Sequence, residues 1–261
     1  MKYIQNNRVL ITIICFLFYN NIWSQLVNVE SQRIQSDSIR FVLNADLSYT
    51  NQKNNDEKLS IFTSSIASQI KSKSLKDIFL VLFNVDYSEA NNQQLSNSLM
   101  VHLRYNRKIS NQFRLEAFYQ FQKNELLGIN YRHLFGFGPR IKILENKKSK
   151  LFYGLLFMHE KEMTVDENNT TRYDNFNRVS TYMAASIKLP KDIGEFDIVT
   201  YYQPYLNNFC NYRLNNQASL VFNITNHIKL TNTISLLFDA SPPIGISKNN
   251  LNFTNGLKIT Y

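Results

Sequence analysis

Residues 113–122 read Phe-Arg-Leu-Glu-Ala-Phe-Tyr-Gln-Phe-Gln, in which apolar and polar side chains alternate almost without exception. One set comprises Phe113, Leu115, Ala117, Tyr119 and Phe121, and the other comprises Arg114, Glu116, Phe118, Gln120 and Gln122. Successive side chains of a β-strand point to opposite faces, so this period of two predicts a strand with one apolar and one polar face.

The same alternation recurs along the chain in segments of roughly ten residues. The clear segments are 39–49, 79–87, 98–105, 127–140, 151–160, 178–187, 196–205, 214–224, 228–238 and 251–261. In the segment 127–140 the pattern puts Leu127, Ile129 and Tyr131 on the apolar face. Segment 59–70 is rich in serine and ambiguous in register. We therefore predict about twelve strands, with about ten as the alternative, because a single-chain bacterial barrel needs an even number.

The hydrophobic residues are too scattered for membrane-spanning helices. They form 44% of the sequence, yet the mean hydropathy is −0.30. After residue 25 the longest run without a polar side chain is 151–158, whereas a spanning helix needs about 20 apolar residues. Strands in a bilayer must close their sheet, because unpaired backbone groups are costly in hydrocarbon. The sequence thus predicts an all-β, transmembrane, antiparallel up-and-down β-barrel. The alternative is a soluble lipocalin-like barrel with its apolar faces pointing inward.

The first 24 residues have the features of a secretory signal peptide. Lys2 and Arg8 form a positively charged n-region before an apolar stretch at 9–18. Ser24 is a small residue suited to cleavage. The stretch is too short for a retained membrane anchor, the other interpretation. Removal would leave Cys210 as the single cysteine, so no internal disulfide is expected. The predicted division is a removed signal peptide, a periplasmic segment and one barrel domain, at 1–24, 25–38 and 39–261.

The C-terminal residues resemble a sorting signal. The pattern is a polar residue, a glycine two positions on and two hydrophobic residues at the end, and it falls on Thr254, Gly256, Ile259 and Tyr261. It is similar to the signal by which the barrel-assembly machinery of Gram-negative bacteria recognises outer-membrane strands. The resemblance implies that this machinery delivers the protein to the cell outer membrane of a Gram-negative bacterium, with both termini in the periplasm.

The connections between predicted strands support this orientation, because periplasmic turns of such barrels are short and external loops are longer. With the first strand running outward, the periplasmic connections are 71–77, 107–111, 145–150, 189–194 and 225–227. The external connections are 51–58, 88–96, 164–173, 206–212 and 239–249, and one further external turn, 123–125, is short.

Several clusters of residues carry a family resemblance. They lie at 114–122, 131–140, 154–160, 178–182, 201–204 and 211–213, and the second reads Tyr-Arg-His-Leu-Phe-Gly-Phe-Gly-Pro-Arg. Together they resemble the YdiY-like salt-induced outer-membrane protein family, domain of unknown function 481. The resemblance spans about residues 40–261 and implies an outer-membrane barrel. It implies no activity, because the family has no established one.

The polar face predicts a cluster of charges in the lumen. Its candidate members are Arg114, Glu116, Gln120, Arg132, Arg140, Glu160 and Glu162. The interpretation we favour is structural, because narrow barrels are filled by side chains and buried charges must pair. The functional interpretation is a charged constriction that selects small solutes.

A membrane-embedded hydrolase or acyltransferase is the alternative class. Such an enzyme needs a histidine and a serine on the lipid-facing wall, with a polar group that orients the histidine. His133 and His159 fall on that face, but neither has a serine in register on a neighbouring strand. Glu160 and Glu162 point away from His159 in a strand, which disfavours a metal site. We predict no catalytic residue, no metal, no cofactor and no enzyme activity.

The chain is basic, with a net charge of +9, or +7 without Lys2 and Arg8. Much of the positive charge lies in the predicted periplasmic turns, where anionic lipid headgroups are the expected partners. The export signal disfavours nucleic acid as a partner. The sequence therefore predicts a monomeric outer-membrane barrel with a structural or small-solute pore role.

Overall fold

The computed structural model describes residues 40–54, 57–91, 93–165, 169–242 and 246–260. The predicted signal peptide, the predicted N-terminal segment and Tyr261 lie outside these residues. Within them the chain forms twelve strands. These are β1 (Phe41–Asn54), β2 (Glu57–Lys71), β3 (Asp77–Ala90), β4 (Gln93–Lys108), β5 (Phe113–Asn124), β6 (Ile129–Glu145), β7 (Ser149–Val165), β8 (Thr171–Lys188), β9 (Gly194–Pro204), β10 (Tyr212–Asn223), β11 (Ile228–Asp239) and β12 (Asn249–Thr260).

Every strand pairs antiparallel with its neighbour in the chain, and β1 pairs with β12 to close the barrel. This confirms the predicted up-and-down barrel of twelve strands. The described residues also contain two short 3-10 turns, Glu125–Leu127 and Pro190–Asp192. None of the helical segments in the described ranges is long and apolar enough to cross a membrane.

The two faces of the sheet separate as the alternation predicts. On β3 the side chains of Phe79, Val81 and Phe83 are 40–50% exposed on the outer surface. Leu80 and Leu82, between them, are buried inside the barrel. The exposed large apolar residues of the other strands continue this outer band, from Phe41 and Leu47 on β1 to Leu257 and Ile259 on β12. The lipocalin-like alternative is therefore wrong, because it required these faces to point inward.

The chain connects its strands at two ends. At the end that holds Phe41 and Thr260, the turn end, the connections are 72–76, 109–112, 146–148, 189–193 and 224–227. Side chains stabilise these turns: Ser110 Oγ accepts from the Phe113 amide, and Asn146 Oδ1 accepts from the Ser149 amide. The opposite end, the loop end, has connections at 55–56, 91–92, 125–128, 166–170, 205–211 and 240–248.

Two connections at the loop end are much shorter than predicted. Residues 51–58 and 88–96 were expected to be loops, yet β1 continues to Asn54 and β4 begins at Gln93. The residues there are polar on both faces, so the alternation disappears although the strand continues. The backbone hydrogen-bond ladder does not depend on side-chain polarity, and Asn51 still pairs with Ser60.

The start of β6 differs from the predicted register. Leu127 and Ile129 were expected on the apolar outer face, but they are 8% and 2% exposed and line the lumen. Asn124 Oδ1 accepts from the Leu127 amide and Gly128 has a φ of 63°, so a 3-10 turn precedes the strand. A bulge between Ile129 and Tyr131 then restores the predicted alternation. The turn is a local geometry that a period-two pattern does not encode.

Closure of the barrel predicts heat-modifiable migration. The protein refolded in detergent should migrate on a gel at a different apparent mass before and after boiling, because a closed sheet resists unfolding by the gel detergent. A variant that lacks 249–261 removes β12 and should lose the shift. An identical shift in the truncated chain would contradict closure through β1 and β12.

Candidate functional site

The predicted charge cluster is present in the lumen, but it divides into two clusters. The Glu116 cluster comprises Arg104, Asn106, Glu116, Arg140 and Tyr182, from strands β4, β5, β6 and β8. The Glu160 cluster comprises Arg132, Glu160, Glu162, Arg178, Arg213 and Asp239, from strands β6, β7, β8, β10 and β11.

Four side chains surround the carboxylate of Glu116, which is 2% exposed. Tyr182 Oη donates to Oε2 at 2.8 Å, and Arg104 Nη1 lies 3.4 Å from the same oxygen. Asn106 Nδ2 donates to Oε1, and Arg140 Nη1 is 3.7 Å from Oε1. A buried carboxylate is tolerated only with such partners, because an unpaired charge is costly to bury. The cluster therefore has a structural basis in charge pairing.

Two lumen aromatic rings lie flat over glycines on the neighbouring strand. Gly154 is directly opposite Tyr182, and a Cβ at Gly154 would be 2.0 Å from Tyr182 Cε1. Gly136 is likewise opposite Phe118, where the corresponding distance to Cε1 is 2.1 Å. These glycines leave room for rings that extend into the lumen. The inward glycines of β6 and β7 thus indicate where the barrel interior is filled.

Glu160 lies at the centre of the second cluster and is fully buried. Arg178 Nε donates to Oε2 at 2.9 Å, while Oε1 lies 3.3 Å from Arg132 Nε and 2.5 Å from Arg213 Nη1. The Arg178 guanidinium also stacks on the Tyr205 ring at 3.7 Å from its centroid. Three arginines from three different strands therefore meet at one carboxylate.

Two further carboxylates complete the Glu160 cluster. Arg132 Nη2 lies 2.6 Å from Glu162 Oε2, and Arg213 Nε donates to Asp239 Oδ2 at 2.7 Å. The cluster holds three arginines and three carboxylates, so its formal charge is zero. The Arg213–Glu160 pair joins β10 to β7, which are not neighbours in the sheet, and therefore crosses the lumen.

The structure assigns most candidates named from the sequence to one of the two clusters. Glu116 and Arg140 belong to the first cluster, and Arg132 and Glu160 belong to the second. Gln120 Oε1 lies 3.0 Å from Nδ1 of His102, whose Nε2 is 3.3 Å from Arg104 Nε. Gln120 is therefore linked to the Glu116 cluster.

The structure also places Arg114 and six residues that were not candidates. Arg114 lies on the same face as Glu116, two positions nearer the turn end, opposite Lys108. Sequence reasoning missed six members of the two clusters, which are Arg104, Asn106, Arg178, Tyr182, Arg213 and Asp239. Arg104 and Arg178 occupy inward positions of predicted strands and could have been included on alternation alone. Arg213 reaches Glu160 and Glu162 on β7 only because the barrel is closed and curved, so this contact has no signal in the sequence. Asp239 joins the cluster as the partner of Arg213 on the adjacent strand β11.

A cavity that opens to solvent lies between the two clusters. Its apolar wall is formed by Phe118, Leu127, Ile129, Leu134, Leu156 and Met158. Its charged wall is formed by Arg104, Arg132, Glu160, Arg213 and Asp239, and Pro242 and Ile246 lie at the loop end.

The lumen wall of β10 and β11 is polar but carries little charge. Asn215, Gln217 and Ser219 on β10 and Ser235 on β11 point inward and are buried. Ser219 Oγ and Thr233 Oγ1 lie 2.9 Å apart. Asn215 also lines the cavity. Hydroxyl and amide groups therefore line this part of the lumen, on the same strands as Arg213 and Asp239 but nearer the turn end.

The lipid-facing histidines have polar partners but lack a nucleophile in the expected position. His159 Nδ1 lies 2.9 Å from Asn177 Oδ1, and its strand neighbours are Phe135 and Asn177. His133 Nδ1 lies 2.9 Å from Tyr119 Oη, and its strand neighbours are Phe121 and Lys161. A serine acyl-transfer site needs a hydroxyl within hydrogen-bond reach of the histidine base. Neither arrangement supplies a serine.

Among the residues that the structure describes, no group of three His, Cys, Asp or Glu side chains is placed to hold a metal ion. Cys210 is free and exposed in the 205–211 connection. The residues of the C-terminal pattern are distributed over both faces of β12. Thr254 and Gly256 face the lumen side, and Ile259 is 52% exposed on the outer band.

The closed antiparallel sheet with its apolar outer band is the fold of outer-membrane β-barrels. Residues 45–261 match the family described as "protein of unknown function, DUF481". The chain belongs to this family, as the residue clusters predicted. Proteins with curated functions provide no match.

Solved outer-membrane barrels are similar to the chain in fold. An outer membrane channel from Pseudomonas putida F1 has a TM-score of 0.53 at 8% identity, covering 91% of this chain and 100% of that chain. The NanC porin has a TM-score of 0.45 at 14% identity, covering 85% and 98%. The translocator domain of the autotransporter NalP from Neisseria meningitidis has a TM-score of 0.45 at 10% identity, covering 100% and 95%. The first likeness supports the barrel fold.

We predict that Gly154→Ala destabilises the barrel. The new methyl group would displace the Tyr182 ring and weaken its hydrogen bonds to Glu116 and Arg140, at a cost of about 1–3 kcal/mol. Gly256→Ala is the matched control, because the nearest atom to its Cβ would be Thr231 Oγ1 at 3.5 Å. Urea unfolding of the refolded proteins measures both. A smaller loss for Gly154→Ala than for Gly256→Ala would contradict the close approach.

The Glu160 cluster predicts a larger effect of charge removal. Glu160→Gln keeps the side-chain shape but leaves three buried arginines with two carboxylates, which should cost about 3–5 kcal/mol. Glu125→Gln is the control, because the exposed Lys123–Glu125 pair should contribute only about 0–1 kcal/mol. The same unfolding assay measures the difference. Equal losses would show that the Glu160 cluster is not electrostatically required.

Proposed function

We propose that the protein is an outer-membrane barrel whose lumen is a narrow passage for small hydrophilic solutes. The observation that carries the proposal is the pairing of Arg213 on β10 with Glu160 on β7, which crosses the lumen. In this proposal the ion pairs that we favoured from the sequence also form the constriction. A neutral, paired constriction restricts the size of a solute more than it selects for charge.

The uncharged polar wall supports passage beside the constriction. Asn215 is 7% exposed, and its Oδ1 has no hydrogen-bond partner among the residues that the structure describes. Ser219 and Ser235 line the same side of the lumen. Buried amide and hydroxyl groups need hydrogen-bond partners, which a passing hydrated solute provides. This side of the lumen therefore suits water and small hydroxylated molecules.

The proposal also includes location and orientation. The exposed apolar band supports residence in the outer membrane, with outer-membrane lipids as the surrounding partners and the barrel as a monomer. Lysine and arginine side chains at the turn end include Arg107, Lys147 and Lys148, which suit anionic headgroups. The turn end would then face the periplasm, as would both termini. The pattern at Thr254, Gly256, Ile259 and Tyr261 supports delivery by the barrel-assembly machinery.

Planar-bilayer recording of the refolded protein tests the passage. We expect small, steady current steps for the native chain. Arg213→Ala should raise the single-channel conductance at least about two-fold, because a long side chain that crosses the lumen is removed. It should also increase cation preference, since the cluster then carries one excess negative charge.

Arg107→Ala is the matched arginine control. Arg107 lies at the turn end with an exposed side chain, paired with Asp77 at 3.2 Å and outside both lumen clusters. Its removal should leave the conductance unchanged. A native protein and an Arg213→Ala variant that are both silent, although correctly folded, would contradict a passage and favour a purely structural role.

A further inference from the structure

Three basic side chains lie together on the outer surface of the barrel. His133 on β6 is directly opposite Lys161 on β7, and His159 lies two positions from Lys161 on the same face. Directly opposite residues of antiparallel strands have Cβ atoms about 4.5–5.5 Å apart, and alternate residues of one strand are about 7 Å apart. One small group can therefore contact all three side chains. We call these three residues the outer basic patch.

The outer basic patch lies at the border between a polar and an apolar part of the outer surface. On its other side Lys161 is opposite Asn175 of β8. Towards the turn end, the next outward residues of β6 and β7 are the exposed rings of Phe135, Phe137 and Phe157. Such a border is where the hydrocarbon of a bilayer meets the headgroups. The patch therefore lies at the headgroup level of the leaflet around the loop end.

No carboxylate of the neighbouring described strands neutralises the patch. Lys161 is exposed, and its Nζ makes no hydrogen bond or ion pair with a described residue. The carboxylates of Glu160 and Glu162, on the same strand, point into the lumen, where they are buried. Asp174 on β8 is opposite Glu162 and points the same way. Lys161 thus places a positive charge on the lipid-facing wall, beside two histidines.

Hydrogen bonds orient the two imidazole rings. His133 Nδ1 lies 2.9 Å from Tyr119 Oη, and His159 Nδ1 lies 2.9 Å from Asn177 Oδ1. The His133 ring also packs against Phe121, with ring centroids 5.2 Å apart. Within the described residues, Nε2 of neither ring has a hydrogen-bond partner. Each ring therefore has one nitrogen held by the protein and one that is available to a ligand.

The position of the patch within the strands favours a partner in the membrane. Outward basic side chains such as Arg107 and Lys123 lie next to the ends of β4 and β5. His159 and Lys161 lie further inside β7, which continues to Val165. A charge on the lipid-facing wall becomes more costly with its depth in the bilayer. An anionic headgroup beside Lys161 offsets this cost.

We propose that the outer basic patch binds a lipid whose headgroup carries a phosphomonoester, in the leaflet around the loop end. The phosphate bonds to Lys161 Nζ and to Nε2 of His133 and His159, while the acyl chains lie along Phe137 and Phe157. A phosphomonoester has about −1.5 to −2 charges at pH 7 and three terminal oxygens, which suits three nitrogen partners. The inference rests on the membrane residence in the proposed function but not on a conducting lumen.

Fluorescence quenching tests the site. The chain has one tryptophan, Trp23, so in a Trp23→Phe background Phe137→Trp is a single reporter beside the patch. In phosphatidylcholine vesicles, phosphatidic acid with brominated acyl chains should quench this tryptophan at least about two-fold more than brominated phosphatidylcholine at equal bromine content. The physical reason is that basic side chains at the membrane surface enrich anionic lipids. Phe83→Trp on the outer face of β3 is the reference and should show no preference.

Substitutions of Lys161 test whether the patch causes the preference. Lys161→Gln should abolish it at Phe137→Trp, whereas Lys161→Arg keeps the positive charge and should retain it. Lys123→Gln is the matched control and should also retain it, because Lys123 pairs with Glu125 at 3.0 Å. Heat-modifiable migration verifies that each variant is folded. An undiminished preference in folded Lys161→Gln would overturn the site.

The two tryptophan positions separate the possible failures. Equal quenching by both lipids at Phe137→Trp, with normal quenching at Phe83→Trp, would overturn the lipid site while leaving membrane residence intact. Absence of quenching at both positions would contradict membrane residence, on which the site depends. Quenching by brominated phosphatidylglycerol that equals the quenching by phosphatidic acid would overturn the choice of a phosphomonoester, because phosphatidylglycerol is a phosphodiester.

Discussion

The need of each backbone N–H and C=O group for a partner determines the architecture of this protein. In an apolar surrounding, a strand can meet this need only through its neighbours, and the row of neighbours must return to its start. Twelve strands achieve this return through β1 and β12. Closure separates an outer band of large apolar side chains from a lumen of polar and charged ones. The buried charged side chains of the described strands therefore lie in the interior of the barrel.

Ionised groups are also buried in the lumen, where each needs partners of opposite charge or hydrogen-bond donors. Glu116 and Glu160 are each surrounded by donors from at least three strands. Such networks contribute most when every member has a partner, because a half-paired network leaves a costly buried charge. The aromatic rings that lie over Gly136 and Gly154 narrow the same side of the lumen. Ion pairs and rings together fill much of the interior, and uncharged polar side chains of β10 and β11 line the part nearer the turn end.

Much of the fold could be predicted from the sequence, because side-chain alternation is a local property. The alternation of residues 113–122 predicts correctly which side chains face outward and which face the lumen. Glu116 is buried where this pattern places it. The inward positions of Leu127 and Ile129 could not be predicted, since a 3-10 turn and a bulge shift the register by geometry alone. The meeting of Arg213 with Glu160 depends on barrel curvature and strand stagger, which no local pattern contains.

The neutrality of the Glu160 cluster bears on how the chain can assemble. Arg132, Glu160, Glu162 and Arg178 come from the consecutive strands β6, β7 and β8, and their charges cancel. Arg213 and Asp239 come from the adjacent strands β10 and β11, and their charges cancel as well. Each group of neighbouring strands thus brings no net charge from this cluster into the barrel before the other group arrives. The later contact between Arg213 and Glu160 joins two parts of the cluster that are already neutral.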